Sequence, residues 1–192
     1  MALLKPDDGL RRLDGGGVFL RAPEARDYQD WADLREASRA FLKPWEPTWA
    51  EDELSRPSFR HKLRRYTEDA RDGRAYAFFI FRARDEALVG GATLSRVQRG
   101  VALSCSLGYW IGRPHARRGH TSAAVRALAR FAFEELGLHR VEAACQPENE
   151  PSAHLLQKVG FTPEGRARAY LKIDGAWRDH LLFGLVAGDP LR

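Results

Sequence analysis

No stretch of the chain is apolar for long enough to cross a bilayer: its most apolar short run, Tyr76-Ala77-Phe78-Phe79-Ile80-Phe81, has the length of a strand. The leading residues Met1-Ala2-Leu3-Leu4-Lys5-Pro6-Asp7-Asp8 carry neither the basic region nor the apolar core of a secretion signal, so the expected location is the cytoplasm. Cysteine is scarce. Cys105 and Cys145 lie far apart in alternating apolar segments, which excludes a thiol-rich metal site or a close redox pair and leaves two buried, reduced thiols as the reading. His115, His120, His139, His154 and His180 show no ligand spacing, so no metal is expected. Blocks of consecutive Lys and Arg in the manner of a nucleic-acid tail are also missing. The 31 basic residues are interspersed with 26 acidic ones, and the net charge of +5 suits a phosphate-bearing partner without implying specific nucleic-acid or membrane binding.

What is present is a globular balance, 44% hydrophobic and 30% charged over 192 residues, which fits one domain over 1–192 with residues 1–16 as a loosely ordered lead-in. Asp14-Gly15-Gly16-Gly17 is a turn that releases a short strand, Val18-Phe19-Leu20-Arg21. Tyr28, Trp31, Leu34 and Ala37 recur at helical spacing within Ala25–Phe41. Pro44, Pro47 and Pro57 then break the chain into an aromatic, irregular stretch before a second helix over Phe59–Ala70. Ala75–Ala83, Ala87–Val97 and Ala102–Ile111 read as an antiparallel meander with short connections.

Gly119–Leu136 is an amphipathic helix, with Val125, Leu128, Ala129, Ala132 and Leu136 on one side and Ser122, Arg126, Arg130 and Glu134 in a polar stripe. Gly137 ends it. Val141, Ala143 and Cys145 form one face of the following strand; a short helix over Pro151–Val159 closes at Gly160. Arg168–Val186 reads as two strands turning at Asp174-Gly175.

The turn Arg117-Arg118-Gly119-His120-Thr121 stands between a strand and a helix, where free N–H groups and the positive helix end attract an anion. Gly119 lets the backbone approach a diphosphate, Arg117 and Arg118 add charge, and Thr121 or Ser122 offers a hydroxyl. The turn lacks the Gly-Lys-Ser/Thr ending of a nucleotide phosphate loop and the three spaced glycines of a dinucleotide fold.

Tyr109-Trp110-Ile111 through Arg118-Gly119-His120 resembles motif A of the Gcn5-related N-acetyltransferases (GNAT), and Asn149-Glu150-Pro151-Ser152 through Lys158-Val159-Gly160-Phe161 resembles motif B. Phe41-Leu42-Lys43-Pro44-Trp45-Glu46-Pro47 and Tyr170–His180 are similar to the RimJ/RimL type of ribosomal-protein-alanine N-acetyltransferase. The resemblance implies an α/β GNAT fold: a mixed, mostly antiparallel seven-stranded sheet, splayed between the fourth and fifth strands, with helices on both faces. It further implies transfer of acetyl from acetyl-CoA to a primary amine by direct attack in a ternary complex. The acceptor is a protein N-terminus, a ribosomal one by the RimJ likeness. A small-molecule or antibiotic amine is the alternative acceptor, and a non-catalytic acyl-CoA-sensing or RNA-associated module is the alternative of another class. Monomer and homodimer both remain open.

On the same resemblance, Arg117, Arg118, Gly119, His120, Thr121 and Ser122 hold the pyrophosphate, Asn149 bonds the pantetheine arm, and backbone groups near Tyr109, Trp110 and Ile111 meet the acyl oxygen. Ala116 stands where the family has Gln or Arg, and Thr121 where it has Gly or Ala; the Thr121 side chain either crowds the pyrophosphate or bonds it. Leu156 occupies the place of a tyrosine acid used by many relatives. Ser152 is the candidate acid, or else a helix cap. For the base, strand alternation sets Glu142 opposite the Val141, Ala143, Cys145 face and toward the splay; the alternative is a pair with Arg140. Glu46 is the second candidate base. Trp45, Trp49, Tyr170, Trp177, Asp179 and His180 are candidate walls of the acceptor pocket, and adjacent strand positions keep Asp179 and His180 from acting as a pair.

Overall fold

In the computed structural model, which describes residues 12–192, eight strands form one sheet. In chain order they are β1 (Leu13–Asp14), β2 (Val18–Arg21), β3 (Tyr76–Arg82), β4 (Leu88–Gln98), β5 (Ser104–Ile111), β6 (Arg140–Cys145), β7 (Thr162–Ile173) and β8 (Ala176–Val186). Their spatial order is β1-β2-β3-β4-β5-β6-β8-β7, and every neighbouring pair is antiparallel except β5 and β6. The eighth strand beyond the expected seven is β1, whose Leu13 is buried and pairs with Leu20. Of the lead-in expected over 1–16, residues 1–11 lie outside the described residues.

Helices cover both faces. α1 (Tyr28–Ala37), α2 (Arg39–Leu42) and α3 (Arg56–Arg71) lie on one side of the sheet, and α4 (His120–Arg130) and α5 (Glu150–Val159) on the other. The strand β3 explains why both are needed: Tyr76, Phe78 and Ile80 join the core under α4, while Phe79 and Phe81 join Phe19, Trp31 and Phe59 under α1 and α3. A strand buried on both faces reads as a continuous apolar run rather than an alternating one.

Two differences from the expected elements have local causes. The helix expected over Gly119–Leu136 is α-helical only to Arg130 and continues as a π-turn over Phe131–Glu135, closed by Leu136 N–H donating to Phe131 C=O at 3.0 Å. The wider turn sets Phe131 edge-on to Tyr76 and Phe78, at ring separations of 5.6 and 5.5 Å. β7 begins at Thr162 rather than near Arg168, because its exposed, Arg-rich first half is paired through two register shifts, between Pro163 and Gly165 and between Ala167 and Leu171. Such a half lacks the apolar alternation that announces a strand.

Candidate active site

The single parallel pair of the sheet is also its point of opening. β5 and β6 pair only from Ser104–Leu107 to Arg140–Ala143. Beyond that, Gly108–Ile111 stays paired with β4, and Ala144 and Cys145 with β8, so the strands part and leave two backbone edges facing a wedge. An unpaired strand edge presents hydrogen-bonding groups to any extended, amide-bearing chain laid along it. Tyr109, Trp110 and Ile111 all lie on the β5 side of this wedge.

At the head of the wedge the chain turns into α4. Arg117 and Gly119 both adopt left-handed backbone, at φ 59° and 80°, and Gly119 caps the helix without any side-chain cap. Among the described residues no acceptor meets the N–H groups of Gly119, His120, Thr121 and Ser122. A concave run of free N–H groups at a helix start suits a diphosphate. Nothing lies within 4 Å of the position a Gly119 Cβ would take, so the approach is open. Arg117 and Arg118 are exposed and, among the described residues, pair with no carboxylate. Thr121 is buried in line with Ala124, Val125 and Leu128, on the core side of the helix. Ser122 is half-buried one position on. His115 Nδ1 and His120 Nε2 are buried with no partner among the described residues, and burial, reinforced by the Arg82 charge, pushes both imidazoles down.

Across the wedge, Asn149 caps α5 through its Oδ1, which accepts the Ser152 N–H at 3.3 Å, and leaves its amide NH2 without a partner among the described residues. The Ser152 hydroxyl lies 2.8 Å from Tyr109 Oη, and burial pushes the Cys145 thiol at the end of β6 up. Hydroxyls from β5 and α5 thus meet where the strands diverge. Cys105, lower on β5, is pushed up to about 12 by burial and takes no part.

The other face of the wedge carries the proline-rich segment. Arg35, on α1, makes a two-pronged pair with Glu46 at 2.7 Å per prong, and Glu46 Oε2 accepts Trp49 Nε1–H at 2.7 Å. The Arg35 guanidinium lies 4.2 Å from the Trp49 ring and 5.0 Å from the Trp110 ring. Gln146 Nε2 donates to Pro44 C=O at 2.8 Å, and Asp174 N–H donates to Glu46 C=O at 3.0 Å, so the segment is fastened to β6 and to the β7–β8 turn. Trp45 and Trp49 are half-buried there, while Trp177 stands 65% exposed at the outer rim. His180 is buried against the Tyr170 ring, and Asp179 instead holds Arg166 and the Ala169 N–H, so the two point to opposite faces.

Glu142 is on the face that alternation assigns it, yet it sits opposite Ser106 inside the paired stretch, below the opening. Its carboxylate accepts from Arg140 Nε at 2.9 Å, and the same Arg140 holds Glu164. This is the pairing weighed against a base role. Sequence reading missed Arg35, Gln146 and the Tyr109 hydroxyl. Arg35 left a signal: it falls four residues after Trp31, on the buried row of α1, where a charged side chain requires a partner.

Parting parallel strands beside an uncapped helix start offer a phosphate-bearing ligand an anion site and, next to it, two free strand edges. Residues 18–162 match the family model described as Acetyltransferase (GNAT) domain. The Escherichia coli (strain K12) [ribosomal protein uS5]-alanine N-acetyltransferase is 35% identical over 178 residues, covering 93% of this chain and 92% of that protein. Among solved structures, Mycobacterium smegmatis RimJ in complex with CoA-disulfide superposes with TM-score 0.85 at 36% identity, covering 92% of this chain and 85% of that one. The ribosomal-protein-S5-alanine acetyltransferase of Vibrio fischeri gives TM-score 0.85 at 26% identity, with 93% and 97% covered. The chain belongs to the GNAT family. It is an acetyl-CoA-dependent N-acetyltransferase of the RimJ/RimL type, with the mixed, splayed sheet that the resemblance implied. No helix among the described residues is long and apolar enough to cross a membrane, and none of their His, Cys, Asp and Glu side chains form a group of three placed to share a metal ion.

Proposed function

We propose that the chain acetylates the N-terminal α-amine of a protein, of the ribosomal kind named for its Escherichia coli relative, by direct attack on acetyl-CoA within the β5–β6 wedge. The observation that carries this reading is the fastened aromatic wall of Arg35, Glu46, Trp49 and Trp110 on the face of the wedge opposite Ser152, which gives an acceptor a place distinct from the carrier. On this reading the α4 N–H groups with Arg117, Arg118, His120 and Ser122 hold the pyrophosphate, and the Asn149 amide donates to the pantetheine arm. Backbone N–H on the Tyr109–Ile111 edge meets the oxygen of the tetrahedral intermediate. The amine nitrogen bonds to the thioester carbon, the carbon–sulfur bond breaks, the ammonium proton passes to water, and the Ser152 hydroxyl donates a hydrogen bond to the departing sulfur.

The carboxylates favour an α-amine over a lysine. Glu46 is engaged by Arg35 and Trp49, and Glu142 by Arg140. An α-amine with a pKa of about 7.7–8.0 is about half neutral near pH 8 with no base at hand, whereas a lysine at about 10.4 is not. We therefore assign proton removal to water and a positioning role to Glu46.

The test follows free thiol release with acetyl-CoA and peptides that begin in Ala or Ser, beside the same peptides blocked at the N-terminus and an aminoglycoside. Release with free N-termini alone is expected. If acetyl-CoA binds and only the small amine is acetylated, the acceptor is a small molecule; if no amine is acetylated, the catalytic reading falls.

A further inference from the structure

We propose that the Tyr109 phenol is a positioning residue for acetyl transfer, holding the Ser152 hydroxyl so that its proton is directed at the departing sulfur. The inference rests on the reading above, in which Ser152 meets that sulfur.

The geometry is specific. Tyr109 leaves β5 on the face shared by Cys105 and Leu107, toward α5, and its oxygen lies 2.8 Å from Ser152 Oγ. Among the described residues this is the phenol's one hydrogen bond. Ser152 has a single proton, and among the described residues its hydroxyl has one side-chain partner, the phenol. If Ser152 donated to Tyr109, the phenolic proton would be left in a half-buried place with no acceptor among the described residues, which is unfavourable. The favourable arrangement has Tyr109 donating to Ser152 Oγ. The serine proton is then turned away from the phenol, and onto the sulfur of the carrier when that lies in the wedge.

Burial supports the same direction of donation. It holds the phenol well above its ordinary value, so Tyr109 keeps its proton throughout any working pH range and never becomes an acceptor-only phenolate. The backbone of Ser152 is fixed independently, its N–H being taken by Asn149 Oδ1 at 3.3 Å and Asn149 C=O at 3.0 Å. With the backbone held by Asn149 and the hydroxyl by Tyr109, the serine has one orientation left. Helix α5 carries no phenol of its own at the next turn, where Leu156 is buried at 1% exposure. The phenol comes from the facing strand instead.

The test is a double-mutant cycle on the full chain, with Tyr109→Phe, Ser152→Ala and the pair, read as kcat and as KM for acetyl-CoA, with thermal melts alongside. Removing one oriented hydrogen bond from the transition state predicts a kcat loss of about tenfold for Tyr109→Phe, with the KM changed less than about twofold. Because Tyr109 acts only through Ser152, the double variant is expected to be no slower than Ser152→Ala alone. A structural role for Tyr109 lowers the melting temperature and multiplies the two losses, and that result overturns the proposal. Full activity of Tyr109→Phe with an impaired Ser152→Ala overturns it too while sparing the role of Ser152. Full activity of Ser152→Ala removes both.

Discussion

Glu46 accepts three hydrogen bonds on two carboxylate oxygens, two from Arg35 and one from the Trp49 indole, and the guanidinium that it neutralises is 91% buried by its side-chain exposure of 9%. Removing one partner of such a pair leaves a charge in a poorly solvated place, which costs more than the pair itself contributes. Glu46→Ala is expected to lower stability by about 3 kcal/mol, roughly 6–12 °C in melting temperature, because Arg35 pairs with no second carboxylate among the described residues. Glu46→Gln, which keeps the shape, is expected to raise KM for the acceptor peptide several-fold while leaving acetyl-CoA binding within about twofold, a split that calorimetry and steady-state kinetics read separately. Glu142→Gln makes the contrast. Its carboxylate is exposed and shares Arg140 with Glu164, so less than about a twofold change in kcat is expected; a hundredfold loss would restore Glu142 as the base. Sequence alone placed Glu142 on its proper face, because alternation is a property of the strand. It could not place the residue below the opening, because where β5 and β6 part is set by the β4 and β8 ladders on their outer edges.

The turn into α4 and the paired glycines of β4 show two ways in which an element's backbone is bound to one residue type. At Gly119 the constraint is conformational: φ is 80° and the space beside it is empty. Gly119→Ala is therefore expected to cost about 1–2 kcal/mol of stability and to weaken acetyl-CoA binding, since the N–H groups of the helix start lose their aim as the turn relaxes. At Gly91 the constraint is contact, for a Cβ there would stand 2.5 Å from Trp110 Nε1. Gly91→Ala is expected to displace the indole that underlies Arg35 and to raise the acceptor KM without touching carrier binding. The elements most legible in the sequence were α1 and α4 to Arg130, whose burial follows the helical period, and the β3–β5 meander, whose apolar runs are divided by short polar turns. The π-turn escaped because a helix pattern holds through Phe131, Ala132 and Leu136 whichever way the turn winds, and the choice is made by the rings of Tyr76 and Phe78 on a distant strand. β1 escaped because two residues carry no period, and the start of β7 because its exposed half is held by pairing with β8 rather than by a buried face.

For the molecule as a whole, protons, folding and carrier binding are expected to be coupled through two histidines beside the α4 turn. Burial first, and then the Arg82 charge, hold His115 and His120 below the ordinary imidazole value. An unfolded chain takes up protons at about 6.5, where the folded one resists them, so this contribution to stability is present above about pH 6.5 and is lost as the pH falls through the folded values. Melting temperature is expected to decline from pH 7 to pH 5.5, a window above the range of most carboxylates, and the decline is expected to flatten in the His115→Asn, His120→Asn double variant. A diphosphate seated at the α4 start reverses the local field. His120 is the first residue of that helix, and a nearby anion favours the charged imidazole, so its pKa rises on binding and protons are taken up. Affinity for acetyl-CoA is therefore expected to increase as the pH is lowered from 7.5 toward 6, while the free protein becomes less stable over the same interval. Calorimetric titration at pH 6.5 in two buffers of different ionisation enthalpy measures the uptake directly: unequal apparent enthalpies are expected, abolished by His120→Asn. Equal enthalpies would place the pyrophosphate away from His120, and with it would move the carrier off the turn that Gly119 opens.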